Sequence, residues 1–356
     1  MFESEKYQRS VAAVAGQPIP WEKLEGKKFL ITGASGLIGS FLADVLMYKN
    51  HMDHLECHVY AVCRNEERAK ERFRDYLQEE EFSIIAQDIN LPLTKLEGQK
   101  IDYILHMASN THPVAYATDP VTTITSNIIG TKNLLDFALE HQAERFAFAS
   151  SNEIYGENRG DTELFDEQYC GYIDCNTLRA GYPESKRCGE ALCQAYRKQY
   201  GMNIVIPRFT RTYGPTMLKS DTKAISQFIR KGIAGENIVL KSQGTQYYSY
   251  TYVADAVSGV LTILLSGTDG EAYNIADERS DIMLRDLAGI IADIAGKKVV
   301  FELPDEVEKA GYSKATKARL DATKLRSLGW QARYDIRTGL QETMSIMITD
   351  TENQPG

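Results

Sequence analysis

A chain of 356 residues that is 43% hydrophobic and 25% charged has the make-up of a globular protein with a large core, arranged as one extended domain or two. Its formal net charge of −9 argues against a general nucleic-acid or anionic-membrane binder, while leaving room for a local basic pocket. No apolar run approaches the ~20 residues that span a bilayer, and the polar start MFESEKYQRS is unlike a secretory signal, so a cytoplasmic location is expected.

Residues 1–26 read as a lead-in expected to pack on the outside. Beyond it, strand-like and helical stretches alternate. A strand at Lys28–Thr32 precedes a helix at Leu37–Tyr48, and a strand at His58–Cys63 precedes a charged helix at Glu66–Leu77. Strand patterns follow at Phe82–Ala86 and Tyr103–Ala108, then a helix at Thr123–His141, a strand at Arg145–Ser150, a helix at Pro183–Tyr200 and a strand at Asn203–Pro207. Such alternation predicts an α/β fold in which a doubly wound parallel sheet carries helices on both faces. After Pro207 the pattern loosens into short strands and helices near Ile225–Ala234, Val253–Ser266 and Leu284–Ala295, which reads as a smaller lobe. The expected division is 1–26, 27–207 and 208–356, with some of the last segment returning to the first sheet. The six cysteines show neither Cys-x-x-Cys spacing nor a histidine partner set, so neither a disulfide framework nor a metal site is expected.

Two motifs carry chemistry. The first strand runs into Thr32-Gly33-Ala34-Ser35-Gly36-Leu37-Ile38-Gly39. Glycines there permit a sharp turn, close approach to a pyrophosphate and tight helix packing, and the helix that follows aims its amides at phosphates. The bland alternative is a structural turn. Further on, Tyr182 and Lys186 stand four apart, on one helix face. A nearby cation lowers the pKa of a phenol and lets it accept a proton from a hydroxyl. Alone, the pair fits a solvated helix face equally well. Ser151, about thirty positions upstream, tilts the reading toward chemistry.

In this order, the glycine motif, Ser151 and the Tyr182/Lys186 pair resemble the extended short-chain dehydrogenases/reductases, and within them the nucleotide-sugar epimerases, dehydratases and decarboxylases. The resemblance spans roughly residues 27–345. It includes Asp88 and Ile89 for the adenine, Met107, Ala108 and Ser109 at the end of the fourth strand, and Asn127 in the next helix. Tyr213-Gly214-Pro215, Tyr252-Val253-Ala254-Asp255, Tyr273-Asn274-Ile275 and Leu328-Gly329-Trp330 also match. It implies a Rossmann-type domain with a C-terminal α/β substrate lobe, a nucleotide-sugar substrate and a homodimer. The dinucleotide would lie on Gly33, Ser35, Gly36, Leu37, Ile38 and Gly39. Where many members end the second strand with an aspartate that favours NAD, this chain has Arg64, with Arg68 one turn on; an arginine there can bind a 2′-phosphate. NAD and NADP both remain open.

By the same resemblance, Tyr182 takes the proton from the sugar 4-hydroxyl, Lys186 lowers its pKa and grips the nicotinamide ribose, and Ser151 bonds the same substrate oxygen. Glu153 is placed to act at C5, or else only orders the site. Asn152 stands where dehydratases carry an acid, and an amide cannot protonate a leaving hydroxide. The segment His112–Pro120 and Arg179 lean toward the decarboxylase branch. Thr111, Asn152, Arg179, Arg211, Tyr248 and Arg319 complete the expected substrate side. Arg211 stands where the family usually has Asn and Tyr248 where it usually has Arg, both near the diphosphate, so an arginine lost from one wall and gained on the other keeps one charge for the phosphates. In decarboxylases the missing arginine lies near the sugar carboxylate as well, which places glucuronate in question. Arg319 also fits a surface charge. The competing functions are an NADPH-consuming reductase of a keto sugar and a non-catalytic dinucleotide sensor, the latter at odds with a complete Ser151/Tyr182/Lys186 set.

Overall fold

The computed structural model describes residues 4–96, 98–111, 113–302 and 316–352. Parallel strands form the main sheet in the order β11-β7-β5-β4-β1-β2-β3. They are β1 (Lys28–Thr32), β2 (His58–Cys63), β3 (Phe82–Ala86), β4 (Tyr103–His106), β5 (Arg145–Phe148), β7 (Ile204–Phe209) and β11 (Ala272–Ile275). The two-residue β6 (Ser150–Ser151) continues beside β7. Apolar residues on both faces of β1 and β4 explain their burial between layers. Helices α2 (Leu37–Asp53), α3 (Glu66–Arg72), α5 (Pro120–Glu140), α6 (Gly181–Tyr200) and α8 (Val253–Ser266) cover the sheet, with the short α4 (Pro113–Thr118) ahead of α5. The arrangement is a Rossmann-type doubly wound sheet. Its winding reverses between β1 and β4, and the carboxyl ends of strands at such a switch point form a crevice.

A second sheet pairs β12 (Asp281–Met283), β10 (Tyr247–Tyr252) and β14 (Lys317–Ala318), and β8 (Arg211–Tyr213) joins β10 in parallel. Beside it, β9 (Ile238–Leu240) pairs β13 (Val299–Phe301), while α7 (Ala224–Ile233) and α9 (Leu284–Ala295) pack together. The chain closes through α10 (Thr323–Arg326) and α11 (Ile336–Glu352). No helix among the described residues is long and apolar enough to cross a membrane.

The lead-in lies against the helices that cover the sheet. Residues Glu5–Ala15 form a helix, α1, whose Tyr7, Val11 and Val14 recur at helical spacing and are buried against α2 and α8. Tyr7 Oη donates to the fully buried Asp44 on α2, which Arg72 also clasps, and Tyr76 Oη donates to Asp44 at 3.1 Å. Arg72 ends α3 there, and Arg74–Tyr76 continues as a 3₁₀ turn rather than as the single helix expected to Leu77. The strand expected over Arg145–Ser150 is likewise interrupted after Phe148.

Candidate active site

At the β1–α2 turn Gly33 has φ +65, and a Cβ there would lie 2.8 Å from the Ala108 Cα. A Cβ on Gly39 would lie 2.6 Å from the Gly33 carbonyl oxygen. Backbone therefore packs on backbone between this turn and the end of β4, a closeness only glycine allows. Gly36, the N-cap of α2, supplies no side-chain cap, so the first amides of a 17-residue helix stay available to an anion. Behind the turn, Thr32 Oγ1 meets His106 Nδ1 at 2.9 Å across the β1–β4 register, and His106 Nε2 meets Thr131 Oγ1 at 3.1 Å. Full burial, with Lys186 a lesser influence, holds the His106 pKa well below the usual range, so the ring is a neutral strut.

This turn opens one end of a cleft of about 1040 Å³. Of the dinucleotide-side residues singled out from sequence, Gly33, Ser35, Gly36, Leu37, Ile38, Gly39, Arg64, Ile89, Met107, Ala108 and Ser109 line it. Asp88 does not: it is exposed and accepts from the Asn90 backbone and side-chain nitrogens at 2.9 and 3.1 Å. Asn127 is fully buried behind the wall, accepting from Ser109 Oγ at 2.8 Å and donating to Ser185 Oγ at 2.9 Å. It ties α5 to α6 and orients a lining residue instead of lining the cleft itself. The glycine turn, the uncapped helix and these walls fit a dinucleotide.

The other end of the same cleft gathers Ser151, Asn152, Glu153, Arg179, Tyr182, Lys186, Arg211 and Tyr248, with Thr111 at its side. Ser151 closes β6 and its Oγ accepts from the Glu153 backbone N–H at 3.2 Å, fixing the turn that presents Asn152 and Glu153. Tyr182 lies in the first turn of α6, nearly buried, with its ring stacked on Tyr116 at 4.8 Å between centroids. Burial pushes its pKa above the usual phenol range and Glu153 adds to the rise, whereas a Ser151 hydrogen bond and the Arg179 charge oppose it. Lys186, one turn on, donates to the Ala149 carbonyl at 2.8 Å and sits 4.9 Å above the Phe148 ring. Burial lowers its pKa to about 7. The protein charges acting on the phenol are thus Glu153 and Arg179, with Lys186 anchored to β5.

Arg179 Nη2 reaches both Glu153 carboxylate oxygens at 2.7 Å, and its guanidinium lies 4.7 Å from the Tyr116 ring centroid. Across the cleft, the Arg211 guanidinium lies 3.3 Å from the Tyr248 ring centroid. With the Asn152 amide oriented so that its oxygen faces Arg211, it accepts from Arg211 Nη1 at 3.0 Å and donates to the Phe209 carbonyl at 3.3 Å. The two positions that depart from the expected pattern are therefore in contact. Arg319 does not join them. It pairs with Glu163 at 2.7 Å and lies 4.6 Å from the Tyr247 ring, away from the cleft.

Sequence reading missed the cations Lys223, Arg230, Lys231 and Lys241 along the cleft, whereas Tyr250 belongs to the aromatic run Tyr247–Tyr252 that reads as either a nucleobase platform or strand packing. The polar side of α7 was a local signal for Arg230 and Lys231 alone, and no motif marks any of the four. His112, at the head of the segment expected to lean toward decarboxylases, lies outside the described residues; Tyr116 from that segment is in the cleft. Among the described residues no cluster of three or more His, Cys, Asp or Glu side chains is arranged to hold a metal ion.

The family model described as "NAD dependent epimerase/dehydratase family" matches residues 29–276. A UDP-glucuronic acid decarboxylase from Arabidopsis thaliana is 31% identical over 319 residues, 88% of this chain and 86% of the relative. Among solved structures, a UDP-glucuronic acid 4-epimerase from Bacillus cereus, in complex with UDP-glucuronic acid and NAD, is 23% identical with a TM-score of 0.77, covering 91% of this chain and 99% of that one. A dTDP-glucose 4,6-dehydratase from Streptomyces venezuelae, with NAD bound, is 24% identical with a TM-score of 0.76, covering 92% and 97%. The likeness of these two is one of fold.

Proposed function

Since the chain belongs to the NAD-dependent epimerase/dehydratase family, we propose that it oxidises a nucleotide-linked sugar at C4 and that the sugar is a hexuronate, decarboxylated through the 4-keto form. The observation that carries this reading is the convergence of Ser151, Glu153, Tyr182 and Lys186 at one end of a cleft whose other end is the glycine turn. A nicotinamide dinucleotide bound there supplies the hydride acceptor and later the donor. Tyr182 accepts the 4-hydroxyl proton, and Ser151 holds the same oxygen. Lys186 reaches the ribose side from its seat on Ala149. In a 4-keto uronate the carboxylate is β to a ketone, so the C5–carboxylate bond breaks with its electron pair stabilised as an enolate. C5 then takes a proton in place of the carbon dioxide lost.

Two features favour decarboxylation over dehydration. Asn152 cannot protonate a leaving 6-hydroxyl, and Glu153 has both oxygens on Arg179, a poor arrangement for a base that must take the C5 proton. Decarboxylation needs neither. The curated relative named above, a UDP-glucuronic acid decarboxylase, supports the same choice. At the adenosine end, β2 finishes in Cys63-Arg64-Asn65 without a carboxylate, which suits NAD or NADP. The reading further takes the enzyme to be a homodimer, by analogy with its family.

The test is turnover of UDP-, dTDP-, CDP- and GDP-linked glucuronate and glucose with either dinucleotide, followed by product mass. The expected product has lost carbon dioxide, and Tyr182→Phe lowers its rate by about 10²- to 10⁴-fold. A product isobaric with its substrate, or lighter by water, would overturn the decarboxylase reading. Full turnover in Tyr182→Phe would remove the catalytic assignment itself.

A further inference from the structure

The sugar end of the cleft holds an uneven set of charges. Glu153 is neutralised by Arg179. Asp221 is neutralised by Lys223 at 2.6 Å, and Lys231 by Glu236 at 2.9 Å. Arg211 has no carboxylate partner among the described residues. It meets an amide oxygen, that of Asn152, and lies against the Tyr248 ring. A planar guanidinium stacked on an aromatic face is held in orientation with several N–H donors uncommitted, and that fork matches a carboxylate.

Asn152 lies between Ser151 and Glu153, so a cation 3.0 Å from its amide stands close to the side chains that meet the sugar. Farther along the cleft wall, Arg230 donates to the Asp221 and Leu218 carbonyls and has no carboxylate partner among the described residues. It provides charge for phosphates without recruiting Arg211.

We propose that Arg211, clamped between Asn152 and Tyr248, is the receptor for the substrate's sugar carboxylate and makes the enzyme select uronates over neutral sugars. This rests on the reading of the cleft as a nucleotide-sugar site, and deepens it by naming the group that sets sugar specificity. Tyr248 acts through Arg211 as its positioning platform, with Asn152 fixing one edge of the fork.

The experiment is calorimetric binding of UDP, UDP-glucose and UDP-glucuronate to the full chain and to Arg211→Gln and Arg211→Lys. The wild type should prefer UDP-glucuronate to UDP-glucose. Arg211→Gln should weaken UDP-glucuronate on the order of 10- to 100-fold, the loss of a charge-assisted hydrogen bond. It should leave UDP nearly unchanged, which also shows that the variant is folded. Arg211→Lys should recover part of the loss, because it restores the charge without the fork. Equal weakening of UDP and UDP-glucuronate would make Arg211 a phosphate ligand and overturn the proposal, as would a wild type without preference for the uronate. Because binding is read apart from turnover, a uronate preference without loss of carbon dioxide would refute decarboxylation while leaving Arg211 as the carboxylate receptor.

Discussion

Tyr182 sits between opposing charges that its own neighbours supply. Glu153 raises its pKa and Arg179 lowers it, and the two are locked to each other. If the deprotonated phenol is the base, kcat/KM climbs with pH through the Tyr182 pKa, and each neighbour sets where the climb begins. Removing the negative charge in Glu153→Gln lowers that pKa and moves the acid limb to lower pH. Removing the positive charge in Arg179→Gln leaves Glu153 uncompensated, raises the pKa and moves the limb to higher pH. The pH profiles of the two variants should therefore shift in opposite directions. A shift in the same direction would mean that these residues act on packing and not on the phenol.

The helix that carries Tyr182 owes its position to one close contact. A Cβ on Gly189, three residues beyond Lys186, would come within 2.3 Å of Phe148 Cζ on β5, the same ring that lies under the Lys186 ammonium. Gly189→Ala should push α6 off the sheet, cost about 1–3 kcal/mol of stability and slow turnover by displacing Tyr182 and Lys186 together. Unchanged kcat in a melting-matched assay would show that α6 position is not limiting.

Elements of this kind were legible in the chain where their signals are local. The bounds read for β1, β2, α8 and α9 coincide with those of the structure, because their apolar runs stop at turn residues, charges or a helix-ending glycine. The glycine turn and the Tyr182/Lys186 pair were legible for the same reason. The Arg211–Tyr248 contact was not. It arises because β8 pairs with β10 in a register that sets Arg211 opposite Tyr250, leaving Tyr248 a diagonal neighbour on the same face. Nothing local to either strand encodes that pairing, so sequence could name both residues yet not join them. The end of α3 was hidden likewise, since it depends on Arg72 turning inward to an aspartate 28 positions away.

At the scale of the whole molecule, that aspartate binds three separate stretches of chain into one body. Asp44, fully buried on α2, receives Tyr7 from α1, Arg72 from the end of α3 and Tyr76 from the turn beyond it. Helix α2 begins at the glycine turn, and α3 follows the Arg64 corner, so the cluster stands behind the adenosine end of the cleft. Burial and Asp44 push the Tyr7 pKa well above the phenol range, so Tyr7 remains a neutral donor throughout the working pH range. Its removal and the removal of Asp44 are then unequal. Tyr7→Phe deletes one donor and leaves the carboxylate with Arg72 and Tyr76, a loss of about 1 kcal/mol. Asp44→Asn leaves the largely buried Arg72 guanidinium without its carboxylate, a loss of about 3 kcal/mol. Denaturant unfolding should separate the two variants by that margin, and dinucleotide affinity should fall only in the second, because only there does α3 lose its anchor to α2. Equal losses in both would mean that α1 packing, through Val11 and Val14, holds this corner together and the buried charges do not.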